Sequence, residues 1–109
     1  MFGNKMSAVE KATKKGNVGS LIDLAGNKDG EVSMAAIAGL GNVGGQEASN
    51  FLVSRLGSPE PEVRIAIAHA LGAIGDKHTK AFLSAQMSKE TKPEVKEAMR
   101  EAMVLIKEY

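Results

Sequence analysis

Few residues in this sequence could do chemistry, and each candidate has a structural reading beside it. Gly39-Leu40-Gly41-Asn42-Val43-Gly44 spells G-x-G-x-x-G, which in a nucleotide-binding unit follows a strand and opens a helix beneath a pyrophosphate. Here the preceding residues are Ala-rich and helical in pattern. The same register recurs as Ala70-Leu71-Gly72-Ala73-Ile74-Gly75. These glycines are therefore read as closing a helix, with Gly41 and Gly72 admitting a close neighbour and Gly44 and Gly75 suited to left-handed C-terminal caps. His69 and His78 are the only histidines, with Asp76 between them, but no third ligand at a suitable spacing completes a metal site. Ser, His and acidic residues are present, yet no motif assembles a nucleophile, a base and an orienting acid. Cys is absent, which removes thiolate ligands, Cys nucleophiles and disulfides together. No catalytic residue, cofactor or metal is expected, and the chain is read as not an enzyme.

Charge offers one further candidate. Lys5, Lys11, Lys14 and Lys15 make the N-terminal segment basic, but the formal net charge is only +1. Nucleic acid is accordingly disfavoured as a partner, and cations near a helix C-terminus account for these lysines. Met1-Phe2-Gly3-Asn4-Lys5 leads into a mixed charged stretch unlike a secretory signal, and Phe2 rather than Gly follows Met1. No apolar run is long enough to span a bilayer. The default expectation is a cytoplasmic protein that does not contact membranes.

The elements that must position any site come from an internal repeat. At 109 residues, 43% hydrophobic and 4% aromatic, the chain is read as one domain over 1–109. Its core of Ala, Leu, Ile, Val and Met favours closely packed helices over a sheet. Glu31-Val32, Glu62-Val63 and Glu94-Val95 recur 31 and 32 residues apart, a period typical of stacked supersecondary units. After Val63, the apolar residues Ala66, Ile67, Ala70, Leu71 and Ile74 mark one helical face. Ala35, Ala36, Gly39, Leu40 and Val43 repeat that face in copy one, and Ala98, Met99, Ala102, Met103 and Ile106 in copy three. Shorter apolar segments lie upstream: Leu21, Ile22 and Ala25; Phe51, Leu52, Val53 and Leu56; Phe82, Leu83 and Met87. Each unit is thus a helix pair, over about 17–45, 46–76 and 77–108.

Gly30, Pro61 and Pro93 share one register position before the Glu-Val pair, where Pro suits a first helical turn. Asp29 is a good N-cap; Ser58-Pro59 and Thr91 lie upstream of the other two starts and leave room for an earlier beginning. Met6, Val9 and Ala12 are spaced for one face of a capping helix over Met6 to Lys15.

The run Glu62-Val63-Arg64-Ile65-Ala66-Ile67-Ala68-His69-Ala70-Leu71-Gly72-Ala73-Ile74-Gly75-Asp76 resembles the V-R-x-x-A-A-x-A-L-G-x-I-G-D signature of HEAT-like repeats of the phycobilisome-lyase type. Copy one resembles it through Val32, Ala36, Leu40, Gly41, Val43 and Gly44, and copy three through Val95, Ala102 and Ile106. The resemblance implies an all-α fold: an α-solenoid of three HEAT-like helix pairs with a short N-terminal capping helix, its second helices lining a concave protein-binding surface. In that family the Arg after Val pairs with an Asp of the turns. Only Arg64 keeps it, with Ser33 and Lys96 in the other copies, so no ladder of ion pairs is expected. Val104 and Lys107 replace the helix-ending glycines in copy three, as for a terminal helix that runs on. The family's iron-binding hydroxylases use His-Glu dipeptides, whereas His69 and His78 precede Ala70 and Thr79.

Carried onto this sequence, the concave positions include Met34, Ala38 and Asn42, then Ile65, His69 and Ala73, then Glu97 and Glu101. Ala35, Ala66, Ala98 and Leu105 flank them, with Glu31 and Glu62 at the edge. This surface is apolar at one end and acidic at the other, suited to a partner protein or peptide. Met103, Leu105 and Ile106 lie on a last helix that is apolar around most of its circumference, so a homo-oligomer through the C-terminal repeat is also expected. The expected role is a non-catalytic protein-interaction module or adaptor. Alternatives are an accessory subunit of a bilin-lyase-type or other enzyme complex and, less favoured, nucleic-acid binding through the N-terminal lysines.

Overall fold

The computed structural model describes residues 4–107; the reading of the extreme N-terminus, including Phe2, lies outside them. Seven α-helices follow one another: α1 (Lys5–Lys15), α2 (Val18–Ala25), α3 (Gly30–Val43), α4 (Gln46–Ser54), α5 (Pro61–Ile74), α6 (Lys80–Lys89) and α7 (Pro93–Leu105). A 3-10 turn at Lys77–Thr79 precedes α6. Among the described residues there is no strand, and the fold is an all-α solenoid of helix pairs α2–α3, α4–α5 and α6–α7 headed by α1.

Local chemistry explains the boundaries. Asn4 Oδ1 accepts from the Ser7 amide (2.9 Å) and Asn17 Oδ1 from the Ser20 amide (3.1 Å), so α1 and α2 each begin on an Asn cap. Between them Gly16, at φ 66° and ψ 31°, turns the chain in the left-handed region, with its amide bonded back to α1. Asp29 caps α3 through the Glu31 amide (3.0 Å). Pro61 and Pro93 open α5 and α7, so the earlier starts allowed by Ser58 and Thr91 are not used. Proline supplies the helical φ without needing its missing N–H.

Leu21, Leu40, Leu52, Ile67, Leu71, Leu83, Val95 and Met99 are fully buried in one core running through the stack. The second helices pack on one another far more extensively than the first helices do; α3 lies along α5 and α5 along α7, while α2 meets α4 lightly. Two glycines permit that closeness. A Cβ on Gly41 would stand 2.9 Å from the Ala70 Cα, and one on Gly72 would stand 3.0 Å from the Ala102 Cα. The stack is therefore tightest along α3, α5 and α7.

Four sequence expectations require correction. Gly44 does have positive φ (74°), but its ψ of −161° lies outside the left-handed helical region; Gly75 (φ 74°, ψ 20°) adopts the expected cap. The last helix does not run on. It ends at Leu105 because Ile106 turns to φ −82°, ψ 111°, which lodges its side chain in the core at 1% exposure. Ile106 is consequently unavailable for self-association. Phe82, assigned to the apolar face of α6, is 54% exposed; Leu83 carries that helix's burial instead.

Candidate partner-binding face

The residues assigned to the concave surface stand on three adjacent helices at one helical phase. On α3, Met34 is half-buried and Ala38 and Asn42 are exposed. On α5, Ile65 is half-buried and His69 and Ala73 are exposed. On α7, Glu97 and Glu101 are exposed. Positions four residues apart lie one turn above another on the same face. Neighbouring helix axes are about 8–10 Å apart, so the three columns form a continuous surface. Ile65 also packs its inner side against the core, which holds its side chain in place at the surface. Glu31, Glu62 and Glu94 stand in the first turns of α3, α5 and α7 and are exposed along one edge, where the helix N-termini favour carboxylates. Glu97 is paired with Arg100 one turn on.

A fourth column was missed in the sequence. Thr13 reaches the face of α3 at Gly39, where an added Cβ would fall 2.5 Å from Thr13 Oγ1. Gly41 meets Ala70, and Gly72 meets Ala102, through the same relative positions. Helix α1 therefore stacks as a second helix lacking a first, and Met6, Glu10 and Lys14 fall in register with Met34, Ala38 and Asn42. All three are exposed. The signal was the three-residue step from Thr13 to Gly16, which matches Gly41 to Gly44 and Gly72 to Gly75. The face thus runs from Met6 and Lys14, through Met34 and Ile65, to Glu97 and Glu101.

The chemical candidates separate in space. Gly39 and Gly41 are interior to α3 and Gly44 closes it, so the G-x-G-x-x-G run cradles no ligand from a helix N-terminus. Asp76 uses Oδ1 to accept from the His78 amide (2.9 Å) and meets His78 Nδ1 at 3.1 Å. These bonds, the backbone one first, hold its carboxyl below the ordinary range. Among the described residues no three His, Cys, Asp or Glu side chains gather as a metal site, and no helix is long and apolar enough to cross a membrane.

Of the residues assigned to self-association, Leu105 is 60% exposed, Met103 is half-buried against the core and Ile106 is buried. Val104 is 74% exposed and was not singled out. It occupies the register of Gly41 and Gly72, the position that receives the following helix.

A second site was not foreseen. Arg64, at the start of α5, donates from Nε to Glu90 Oε1 (2.7 Å) and from Nη2 to Glu90 Oε2 (2.9 Å). Its Nη1 donates to the carbonyls of Ser58 (2.7 Å) and Pro59 (3.2 Å). The Glu90 carboxylate also accepts from the amides of Thr91 and Lys92. The Arg64 fork, ahead of those amides, lowers the Glu90 carboxyl to about 2, while Glu90 raises Arg64. The pair joins the second helix pair to the third, in the one copy whose sequence keeps the Arg after Val.

Residues 18–104 match the family of HEAT repeats. No curated protein matches the chain. Among solved structures, the chain is similar to epoxyqueuosine reductase, crystallised with a tRNA-Tyr epoxyqueuosine-modified tRNA stem loop. The two share 26% identity over 69% of this chain and 20% of that one, at a TM-score of 0.65. The match thus spans about a fifth of that protein's length.

Proposed function

The chain belongs to the family of HEAT repeats, which generally serve as protein-interaction modules, and from that premise we propose that it is a non-catalytic adaptor holding a segment of a partner protein against the face of α3, α5 and α7. The observation that carries this reading is the alignment of Met34, Ala38, Ile65, His69 and Ala73 on adjacent helices, with their outer sides open to solvent. Half-buried Met34 and Ile65 supply apolar anchors, and Ile65, packed against the core, is held in place, which lowers the entropy lost on binding. Capture of partners by wild type, Met34→Glu and Ile65→Glu tests it. Loss of the same protein from both variants, with folding intact by circular dichroism, is expected; an unchanged set of partners would argue against it.

One observation favours a second reading, attachment to an enzyme acting on RNA. One similar structure is a reductase crystallised with a modified tRNA stem loop, and α1 exposes Lys5, Lys11, Lys14 and Lys15. Binding through these lysines would weaken steeply with salt. Fluorescence anisotropy with a labelled tRNA stem loop at low salt separates the readings, since the adaptor proposal expects no saturable binding.

A further inference from the structure

We propose that the cleft between the first two helix pairs is a binding site for the guanidinium of an arginine side chain, seated much as Arg64 is seated one joint further along. Ser33 follows Val32 as Arg64 follows Val63, and Ser58 precedes Val63 by the same five residues as Glu90 precedes Val95. The ion pair that fills the joint between the second and third helix pairs is thus replaced, at the joint before it, by two serines. There a cleft of about 440 Å³ opens, with Ser33 and Ser58 among its walls and Ala25, Ile37, Phe51 and Val63 among its apolar lining.

The hydrogen-bond inventory determines which ligand suits it. Ser33 Oγ donates to the Ala25 carbonyl (2.6 Å) and Ser58 Oγ donates to Glu60 Oε1 (2.9 Å). Ser58 Oγ also accepts from the Glu60 amide (3.4 Å); each hydroxyl has one proton and two lone pairs, so each keeps accepting capacity. Glu60 adds a carboxylate that caps no helix. Arg55 is the one cation among the lining residues. It follows the end of α4, three residues before Ser58, and its guanidinium lies 5.0 Å from the Phe51 ring centre. The cleft therefore offers acceptors with apolar walls, which match the planar fork and the aliphatic stem of arginine better than the compact ammonium of lysine.

The proposal rests on the adaptor reading only for the origin of the arginine, a protein partner, and its test is independent of that reading. The full chain, labelled with 15N, is titrated with N-acetyl-arginine amide, N-acetyl-lysine amide or sodium acetate. The arginine compound is expected to move the Asn27, Ser33, Ser58 and Glu60 amides saturably. The lysine compound should bind at least about threefold more weakly, and acetate should leave these amides unmoved. Ser33→Arg with Ser58→Glu, which rebuilds the ion pair inside the cleft, should abolish the response. Glu60→Gln, which leaves the cleft open, should weaken it, and the spectra themselves report that both variants fold. Absence of saturable shifts, an equal response to lysine or acetate, or undiminished binding by the filled variant would overturn the proposal. Loss of partner capture on Met34→Glu and Ile65→Glu bears on the adaptor reading alone, so the two can fail separately.

Discussion

Arg64 and Glu90 form a two-point ion pair, 2.7 and 2.9 Å, between helix pairs that are 26 residues apart in sequence at these positions. Their side chains are 13% and 2% exposed. A buried carboxylate deprived of its cation retains its desolvation cost, so Glu90 depends on Arg64 more than an exposed pair would.

Arg64→Ala is expected to lower the unfolding free energy by about 2–4 kcal/mol, read from urea denaturation. Arg64→Lys should recover only part of this loss, because an ammonium cannot reproduce the fork that meets both carboxylate oxygens and two carbonyls. A cost below about 0.5 kcal/mol, the range of exposed pairs, would contradict this account of the joint.

The same pair gives stability a pH dependence. The Glu90 carboxyl is lowered from 4.5 in an ordinary setting to about 2 in the fold, so the unfolded chain takes up this proton first as pH falls. The stabilisation is complete above about 4.5 and is lost as the pH falls towards about 2. The difference in stability between wild type and Glu90→Gln should therefore be constant at neutral pH and shrink across that acid window. A difference that stays level through the window would contradict the assignment.

Two glycines should respond oppositely to alanine. A Cβ at Gly41 would press on the Ala70 backbone at 2.9 Å, whereas one at Gly30 would meet nothing within 4 Å. Gly41→Ala should destabilise by about 1–3 kcal/mol through overpacking. Gly30→Ala should stabilise by about 0.4–1 kcal/mol by restricting the unfolded chain. Thermal unfolding of the two variants decides both, and equal shifts would show that Gly41 does not set the closeness of α3 and α5.

Ser49 is 1% exposed and its hydroxyl has no hydrogen-bond partner. Ser49→Ala removes that buried hydroxyl and is expected to stabilise by about 1 kcal/mol, measured by urea denaturation. A loss of stability would mean that the hydroxyl is satisfied in solution.

The solenoid was legible because its signals are local and repeated. Val32, Val63 and Val95 mark equivalent turns, and Gly30, Pro61 and Pro93 mark helix starts that the structure places at the same step. The stacked position of α1 was obscured because it lacks the Glu-Val pair and its first-helix partner; only Thr13 and Gly16 keep the register. The Arg64–Glu90 rung was hidden because its acid comes from the end of α6, outside the expected turn Asp. Ile106 follows the helical apolar pattern, yet its backbone leaves the helix. Periodicity alone does not report where a terminal turn folds back.

The positions assigned to the partner-binding face share one register, since Met34, Ile65 and Glu97 each follow the repeated valine by two residues. Their exposure does not follow from that register. Whether such a residue is covered depends on the approach of the neighbouring helix, which Gly41 and Gly72 determine through contacts distant in sequence.

The adaptor proposal is tested most directly by photocrosslinking from defined positions in native lysate, with benzoylphenylalanine placed at His69 on α5 or at Ala85 on α6. Both positions are exposed, but only His69 stands on the proposed binding face. The account predicts one major partner protein crosslinked from position 69 and lost when Met34→Glu is added, with none from position 85. Equal crosslinking of that partner from both positions, or none from position 69, would contradict it.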